Sequence, residues 1–146
     1  MKVRVLGSGT SSGVPRIGND WGDCDPHDPR NFRTRASILI EHEGTRILVD
    51  TGPDMRMQLL AAGVGTVDAI LWTHEHADHV FGIDDVRQIF HALGRAVPGY
   101  ARPSTERRCS MVLSTPPSEV ARTMIERRPS ARNAASRPPA TRKVTT

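Results

Sequence analysis

Four residues that can bind a metal ion lie within six positions near the middle of the chain. They are His74, His76, Asp78 and His79, and they include three of the six histidines of the sequence. In an extended segment, side chains two positions apart point to the same side, so His74 and His76 can share one metal. Asp78 and His79 follow where the chain turns toward a predicted helix. This spacing suits a second metal about 3.5–4 Å from the first, as in two-metal hydrolases.

The ligand types in this cluster indicate which metal it would hold. Imidazole and carboxylate together favour zinc, with manganese or iron as alternatives. Such metals lower the pKa of a bound water toward about 7 and so supply hydroxide at neutral pH. The cluster therefore predicts a metal-dependent hydrolase. Glu75 and Ala77 point the other way and are not expected to be ligands.

Alternating strands and helices must position this cluster. Predicted strands cover residues 2–6, 36–41, 45–50 and 67–71, and predicted helices cover residues 53–62 and 84–93. Gly63 and Gly94 are expected to end the two helices. Asp50 ends the third strand, where α/β proteins place functional groups. A turn or helix-capping role for Asp50 is the alternative.

A glycine-rich loop, residues 7–13, follows the first strand. Its spacing, G-x-G-x-x-x-G, differs from the dinucleotide fingerprint, and Val14-Pro15 prevents the helix that such a site requires. The loop is better interpreted as a tight turn at the edge of a site, where backbone amides can face a phosphate. Gly7, Gly9 and Thr10 are therefore candidate substrate-loop residues.

The polar loop at residues 18–31 allows two interpretations. It contains four aspartates together with Cys24 and His27, which suggests a second metal site. Cys24-x-x-His27 is only half of a tetrahedral zinc set, however. The alternative is a solvated loop rich in turn-forming residues. His42 and His91, outside these segments, are expected to be an exposed residue and a structural residue.

Charge divides the chain at about residue 100. Residues 1–100 carry 10 Lys+Arg and 13 Asp+Glu, whereas residues 101–146 carry 10 Lys+Arg and 3 Asp+Glu. We expect one folded domain at 1–100 and a basic Arg/Pro/Ser/Ala-rich tail at 101–146, either disordered or read out of frame. The tail could bind nucleic acid electrostatically. With two cysteines, no signal-peptide pattern and no membrane-length apolar run, we expect a cytoplasmic protein without a membrane partner.

The cluster resembles a known family motif. Residues 73–79, THEHADH, are similar to the signature of the metallo-β-lactamase superfamily, and residues 48–52, LVDTG, resemble its first motif. Residues 7–16 and 82–87 resemble the branch containing phosphoribosyl cyclic phosphodiesterase and the tRNA-processing ribonuclease Z enzymes. The resemblance covers roughly residues 1–100.

The resemblance implies a fold and roles for the residues. The fold would be α/β (α+β), the N-terminal half of a four-layer αββα sandwich followed by the basic tail. His74 and His76 would bind one zinc, Asp78 and His79 the other, and Asp78 would also be catalytic by positioning the attacking water. Asp50 would support the ligand loop from behind. The substrate would be a small phosphodiester or nucleotide-like molecule.

The ligands that the family supplies later in its sequence are missing. No histidine follows His91 and no aspartate follows Asp85. We therefore expect a truncated half-site and a sheet with one uncovered face, which a homo-oligomer could cover. Three functions stay open: a phosphodiesterase, inactive if the second half of the site is required; a thioester or lactone hydrolase; and a non-catalytic chain whose basic tail binds nucleic acid.

Overall fold

The computed structural model describes residues 1–114 and 125–127. The strands are β1 (Lys2–Gly7), β2 (Ser37–His42), β3 (Thr45–Val49), β4 (Ala69–Leu71), β5 (Val97–Tyr100) and β6 (Ile125–Arg127). The helices are α1 (Met55–Ala62), α2 (Ala77–Val80), α3 (Val86–Leu93) and α4 (Pro103–Ser114), with short 3-10 helices at Pro29–Asn31 and Ile83–Asp85.

The strands form one mixed sheet in the order β1-β2-β3-β4-β5-β6. The pairs β1–β2 and β2–β3 are antiparallel, and the remaining pairs are parallel. Strands β1, β3, β4 and β5 therefore run in the same direction, and their carboxyl ends lie at one edge of the sheet. The loops that leave this edge contain the glycine-rich segment, Asp50 and the histidine cluster.

One face of the sheet forms the hydrophobic core with the helices. Alternation along the strands places one buried residue from each of β2 to β5 on this face. These residues are Leu39, Leu48, Ile70 and Val97, and they pack with Met55 and Leu59 of α1 and with Val86 and Ile89 of α3. Burial of each leucine or isoleucine side chain contributes about 1.5–3 kcal/mol. The core thus fixes the sheet edge from which the candidate site projects.

The opposite face of the sheet is apolar and open. Paired residues across the strands place a continuous set of apolar side chains on it: Val3, Val5, Ile38, Ile40, Ile47, Val49, Ala69, Leu71 and Tyr100. Val3, Val5, Leu71 and Tyr100 are 52%, 63%, 42% and 38% exposed, so no part of the described chain covers them. One sheet with one helical layer is the two-layer half of an αββα sandwich, as predicted.

The predicted elements occur, with shifted starts. Helix α1 begins at Met55 rather than at residue 53 and ends at Gly63, whose left-handed backbone (φ 67°) places its N–H on the carbonyls of Leu59 and Leu60. Helix α3 ends in the same way at Gly94, but a 3-10 turn precedes it. Strand β4 is shorter than predicted. The Asp68 carboxylate accepts the Arg46 N–H at 2.9 Å and replaces the strand carbonyl there.

The fold continues past residue 100. Helix α4 occupies Pro103–Ser114, with Thr105 and Cys109 buried, so this part of the predicted tail is helical rather than disordered. The prediction for residues 115–124 and 128–146 lies outside the described residues, and the proposed division into domains stays a prediction. Within the described part of the chain, no helix has the length and apolar character needed to cross a membrane.

Candidate metal centre

The four candidate ligands project from the carboxyl end of β4. Trp72, directly after the strand, is buried and donates its indole N–H to the Thr51 hydroxyl at 2.8 Å. The Trp72 backbone N–H bonds the Tyr100 carbonyl at 2.9 Å. An extended segment then leads to His76, which directly precedes the short helix α2. The anchored tryptophan fixes where the ligand loop leaves the sheet.

Close backbone contacts hold this loop against the end of β3. The Thr51 N–H donates to the His79 carbonyl at 2.8 Å, and the Gly82 N–H donates to the Thr51 carbonyl at 2.8 Å. A Cβ at Gly82 would collide with the Gly52 carbonyl oxygen, and one at Gly52 would collide with the Asp78 carbonyl oxygen. Only glycine permits so close an approach at either position.

The histidines and Asp78 are brought together as two pairs. His74 Nε2 lies 3.2 Å from His76 Nδ1, and His79 Nε2 lies 3.2 Å from Asp78 Oδ2. The pairs adjoin each other, because the ring centroids of His74 and His79 are 4.0 Å apart. This grouping corresponds to the sharing expected from the sequence, His74 with His76 and Asp78 with His79.

Asp50 lies behind both pairs. Its side chain is buried, and its backbone has a left-handed φ of 66°, a conformation that aspartate tolerates better than most residues. Oδ1 accepts the Thr73 N–H at 2.8 Å, and Oδ2 accepts the Thr73 hydroxyl at 2.8 Å. Oδ2 also lies 2.7 Å from His79 Nδ1. A single carboxylate therefore contacts the loop at both of its ends.

These contacts determine which ring nitrogens carry lone pairs. A carboxylate only accepts, so the contact with Asp50 places a proton on His79 Nδ1, and a metal held together with Asp78 would take the lone pair of Nε2. The Thr73 hydroxyl gives its proton to Asp50 and therefore accepts from His74 Nδ1, which is 2.9 Å away. His74 Nε2 then also carries a lone pair. Both histidines thus present the nitrogen that faces their partner in a form that can bind a metal.

The donor spacing fits zinc. Two nitrogens bound to one tetrahedral zinc at about 2.0–2.1 Å lie about 3.3 Å apart. His74 Nε2 and His76 Nδ1 are separated by 3.2 Å, and so are the nitrogen and oxygen of the His79–Asp78 pair. Each pair supplies only two donors, however. Among residues 1–114 and 125–127, no group of three or more His, Cys, Asp or Glu side chains is arranged to hold a metal ion. The assignment of these four residues as metal ligands therefore stays a prediction.

Glu75, between the two histidines of the first pair, points toward helix α4. Its Oε2 accepts the Ser104 hydroxyl at 3.1 Å and the Thr105 hydroxyl at 3.2 Å. Its own backbone N–H, and then the Ser104 hydroxyl, lower the pKa of the Glu75 carboxyl. On the other side of the cluster, the Arg108 guanidinium lies 4.8 Å from the centre of the Phe81 ring. Helix α4 therefore contacts the ligand loop at Glu75 and the residue Phe81 just after the cluster.

The glycine-rich loop has a packing requirement of its own. A Cβ at Gly7 would collide with the Arg35 carbonyl oxygen, and a Cβ at Gly9 would lie 2.6 Å from the Arg33 carbonyl oxygen. Both glycines are therefore explained by the approach of the segment that leads into β2. Thr10 lines an open recess. Their role as a substrate loop stays a prediction.

The aspartates of the 18–31 loop act in turns. Asp20, Asp25 and Asp28 each accept the backbone N–H of the residue two positions later, at 2.9 Å. These bonds agree with the turn-forming interpretation. The Arg30 guanidinium also bonds Asp28 and lowers the pKa of its carboxyl. The described residues include no metal-binding group here, and Cys24 is a free cysteine.

Sequence reasoning missed several supporting residues. The sequence suggested no role for Thr51, which directly follows Asp50, or for Thr73, which directly precedes His74. The contact of Glu75 with Ser104 and Thr105 was also missed. The basic composition of residues 101–146 concealed the short helix that supplies these two hydroxyls. The strand-end position of Thr51 and the position of Thr73 beside His74 were the available signals.

Known structures share this fold. Two solved structures are similar: a new diphosphatase from the PhnP family (40% identity, TM-score 0.75, 87% of this chain and 49% of that chain) and zinc-bound PqqB from Methylobacterium extorquens (25% identity, TM-score 0.64, 88% and 46%). This chain thus spans about half the length of each.

Curated proteins match over shorter segments. Ribonuclease Z of Bradyrhizobium sp. (strain ORS 278) is 47% identical over 57 residues, which are 38% of this chain and 19% of that protein. An octanoyltransferase of Porphyromonas gingivalis is 51% identical over 90 residues, 61% of this chain and 18% of that protein. Each match covers about a fifth of the relative.

The family match covers most of the chain. Residues 30–133 match the family described as the metallo-beta-lactamase superfamily, and this range includes Asp50, the histidine cluster and helix α4. The half-sandwich fold and the paired ligands at the sheet edge agree with that match. This chain belongs to the metallo-beta-lactamase superfamily of hydrolases.

Proposed function

We propose that this chain carries the histidine-rich half of a two-metal centre that hydrolyses phosphodiesters. The observation that carries the proposal is the presentation of two donor pairs, each 3.2 Å apart, toward adjacent points. His74 Nδ1 donates to Thr73 and His79 Nδ1 donates to Asp50, so each histidine would bind a cation through Nε2.

Each residue has a defined part in the proposed site. His74 and His76 would hold one zinc, and Asp78 and His79 the other; manganese is the alternative metal. Zinc bound there would lower the pKa of a bound water toward about 7. The Asp78 carboxylate would also accept a hydrogen bond from the attacking water and orient it toward phosphorus. The reaction consumes one water and yields a phosphomonoester and an alcohol.

The phosphodiester class is supported by partial similarity to two proteins. The diphosphatase and the ribonuclease Z relative are both named for phosphorus–oxygen bond cleavage. Since the chain spans only part of each, its own activity and substrate, a small phosphodiester or nucleotide-like molecule, are proposals. Nothing in the described site favours thioester or lactone hydrolysis over phosphodiester hydrolysis.

The open sheet face belongs to the same proposal. The nine apolar side chains named above carry no charge, so two copies can pack this patch face to face. We propose that a second copy of the chain covers this face in a homo-oligomer. The remaining metal donors would then come from outside the described residues of one chain. Because the sequence has only two cysteines and no disulfide-framework spacing, we also propose a cytoplasmic location.

A second candidate function rests on charge. Residues 101–146 carry 10 Lys+Arg against 3 Asp+Glu, which favours electrostatic binding of nucleic acid. In this alternative the chain is non-catalytic. Salt-sensitive RNA binding that disappears on deletion of residues 115–146, without any hydrolysis, would favour it. The deletion retains helix α4.

The hydrolase proposal is tested with an aryl phosphodiester and an aryl thioester, assayed side by side after zinc loading. We expect zinc-dependent hydrolysis of the phosphodiester that is lost in His76→Ala. The matched control is His42→Ala, because His42 is an exposed histidine at the end of β2. Equal rates in His76→Ala and the unsubstituted chain would refute the proposal, and preferential thioester hydrolysis would refute the substrate class.

A further inference from the structure

A recess in the loop between β1 and β2 is separate from the four metal-ligand candidates. Its volume is about 350 Å³, within the range of small-molecule sites. Three hydroxyl residues and three larger polar side chains line it: Thr10, Ser11, Ser12, Arg16, Asp20 and Trp21. None of these residues has a part in the metal centre.

Backbone hydrogen bonds fix the shape of this recess. The Val14 N–H donates to the Arg33 carbonyl, and the Arg33 N–H donates to the Val14 carbonyl, both at 2.9 Å. The Arg35 side chain donates to the Ser11 carbonyl at 2.9 Å. Asn19 adopts a left-handed φ of 61°, which closes the turn opposite. The recess is therefore preformed, which lowers the entropic cost of binding.

The recess is rich in hydrogen-bond donors. The Nε atom of Arg16 pairs with Asp20 Oδ2 at 3.1 Å, which aims the guanidinium, while its terminal nitrogens bond no other described residue. The Ser11 and Ser12 hydroxyls likewise have no hydrogen-bond partner among residues 1–114. Only one carboxylate, that of Asp20, lies nearby, and it is already paired. Such a fork of arginine donors beside hydroxyls suits a phosphate group.

Trp21 supplies a flat surface at the same recess. Its indole N–H donates to Asn19 Oδ1 at 3.0 Å, so the ring has a fixed orientation. The side chain is half-buried, which leaves part of the ring accessible. A planar base can stack on such a ring regardless of base identity. Phosphate donors and a stacking ring together match a nucleotide better than either a free anion or a sugar.

The position of the recess relates it to the histidine cluster. The loop that contains it leaves the carboxyl end of β1, and the cluster leaves the carboxyl end of β4. These strands run in the same direction and are three positions apart in the sheet. At about 4.8 Å per strand, the separation along the edge is about 14 Å. A substrate that occupies both would have to span at least about that distance.

We propose that this recess binds the phosphate and base of a nucleoside monophosphate group, the end of the substrate that is not cleaved. In that role the inference rests on the proposed phosphodiesterase function. The Arg16 guanidinium and the Ser11 and Ser12 hydroxyls bind the phosphate. The Trp21 ring stacks on the base. Binding of the nucleotide itself requires no metal.

The test is a titration of the full chain, in the presence of a metal chelator, with adenosine 5′-monophosphate. Trp72 is buried, so we expect saturable quenching of the Trp21 fluorescence. Calorimetry should show that Arg16→Met weakens binding about tenfold or more and that Trp21→Leu weakens it about fivefold. The control Arg87→Met alters an arginine that pairs with Asp84 instead and should bind normally.

Circular dichroism first establishes that each variant is folded, and Ser12→Ala gives a milder change with an expected loss of about threefold. Unchanged affinity in Arg16→Met and Ser12→Ala would overturn the phosphate assignment. Inorganic phosphate that binds as tightly as the nucleotide would overturn the stacking assignment.

The two proposals fail separately. His76→Ala should bind the nucleotide normally, since it alters only the cluster. Hydrolysis without nucleotide binding would overturn the recess assignment and leave the proposed function standing. Nucleotide binding without hydrolysis in the zinc-loaded chain would support the recess as a binding site and contradict the phosphodiesterase.

Discussion

Asp50 and His79 lie 29 positions apart in the sequence, and Asp50 Oδ2 meets His79 Nδ1 at 2.7 Å. The aspartate ends the β-hairpin segment, and the histidine lies in the short helix after β4. Because the contact places a proton on Nδ1, a metal held between His79 and Asp78 would bind His79 through Nε2. This single contact links the end of β3 to the candidate ligand loop.

Replacement of Asp50 should weaken metal binding although Asp50 is not itself a proposed ligand. In Asp50→Asn, the amide cannot accept from Thr73 and from His79 as the carboxylate does. Loss of such support typically lowers metal affinity about 10- to 100-fold. Zinc affinity measured by competition with a chromophoric chelator checks this. Asp23→Asn, in the exposed loop, is the control, and equal affinities in the two variants would contradict the role of Asp50.

The Thr73 hydroxyl should matter through His74. Thr73→Val removes the group that accepts from His74 Nδ1 and donates to Asp50, whereas Thr73→Ser retains it. We expect Thr73→Val to lower zinc affinity about tenfold, at the low end for lost support of a ligand, and Thr73→Ser to restore it. If serine fails to restore affinity, the hydroxyl relay is wrong.

A methyl group at position 82 should destabilise the fold. The Cβ of Gly82→Ala would press on the Gly52 carbonyl oxygen, which forces apart the two segments that hold the ligand loop. Overpacking of this kind costs about 1–3 kcal/mol of unfolding free energy. Chemical denaturation measures it. Gly65→Ala, with open space around the new Cβ, should be nearly neutral.

Charges on the open sheet face should disrupt self-association. Val5 and Leu71 are 63% and 42% exposed on this face, so glutamate at either position costs the isolated chain little. We expect both variants to shift the chain toward monomer in light scattering coupled to size-exclusion chromatography. Ile17→Glu alters a fully exposed residue elsewhere and should leave the mass unchanged. A monomeric unsubstituted chain would contradict the proposed homo-oligomer.

Sequence patterns predicted the strands and helices well where residues close in the sequence determine the structure. Alternating β-branched residues around Gly44 indicated the hairpin, and the glycines at 63 and 94 marked helix ends because they adopt left-handed backbone there. The His-x-His-x-Asp-His spacing also indicated that these four side chains lie close together, as they do. The resemblance of this motif to a known family predicted that the chain forms one half of an αββα sandwich.

Contacts between distant segments were not predictable in this way. The approach of Gly82 to Gly52 and the bond of Trp72 to Thr51 depend on how β3 and β4 lie side by side. Helix α4 escaped notice because its 12 residues are few beside the arginines and prolines of the whole 101–146 segment. Its Ser104 and Thr105 gain meaning only once the helix lies beside Glu75.

The stoichiometry of zinc binding tests the central claim most directly. Zinc is titrated into the metal-free chain, and bound metal is measured against a chromophoric chelator at equilibrium. The paired arrangement predicts two zinc ions per chain, one in His76→Ala, and two in the control His42→Ala. No specific zinc binding by the folded chain, or two zinc ions bound with unchanged affinity in His76→Ala, would contradict the account.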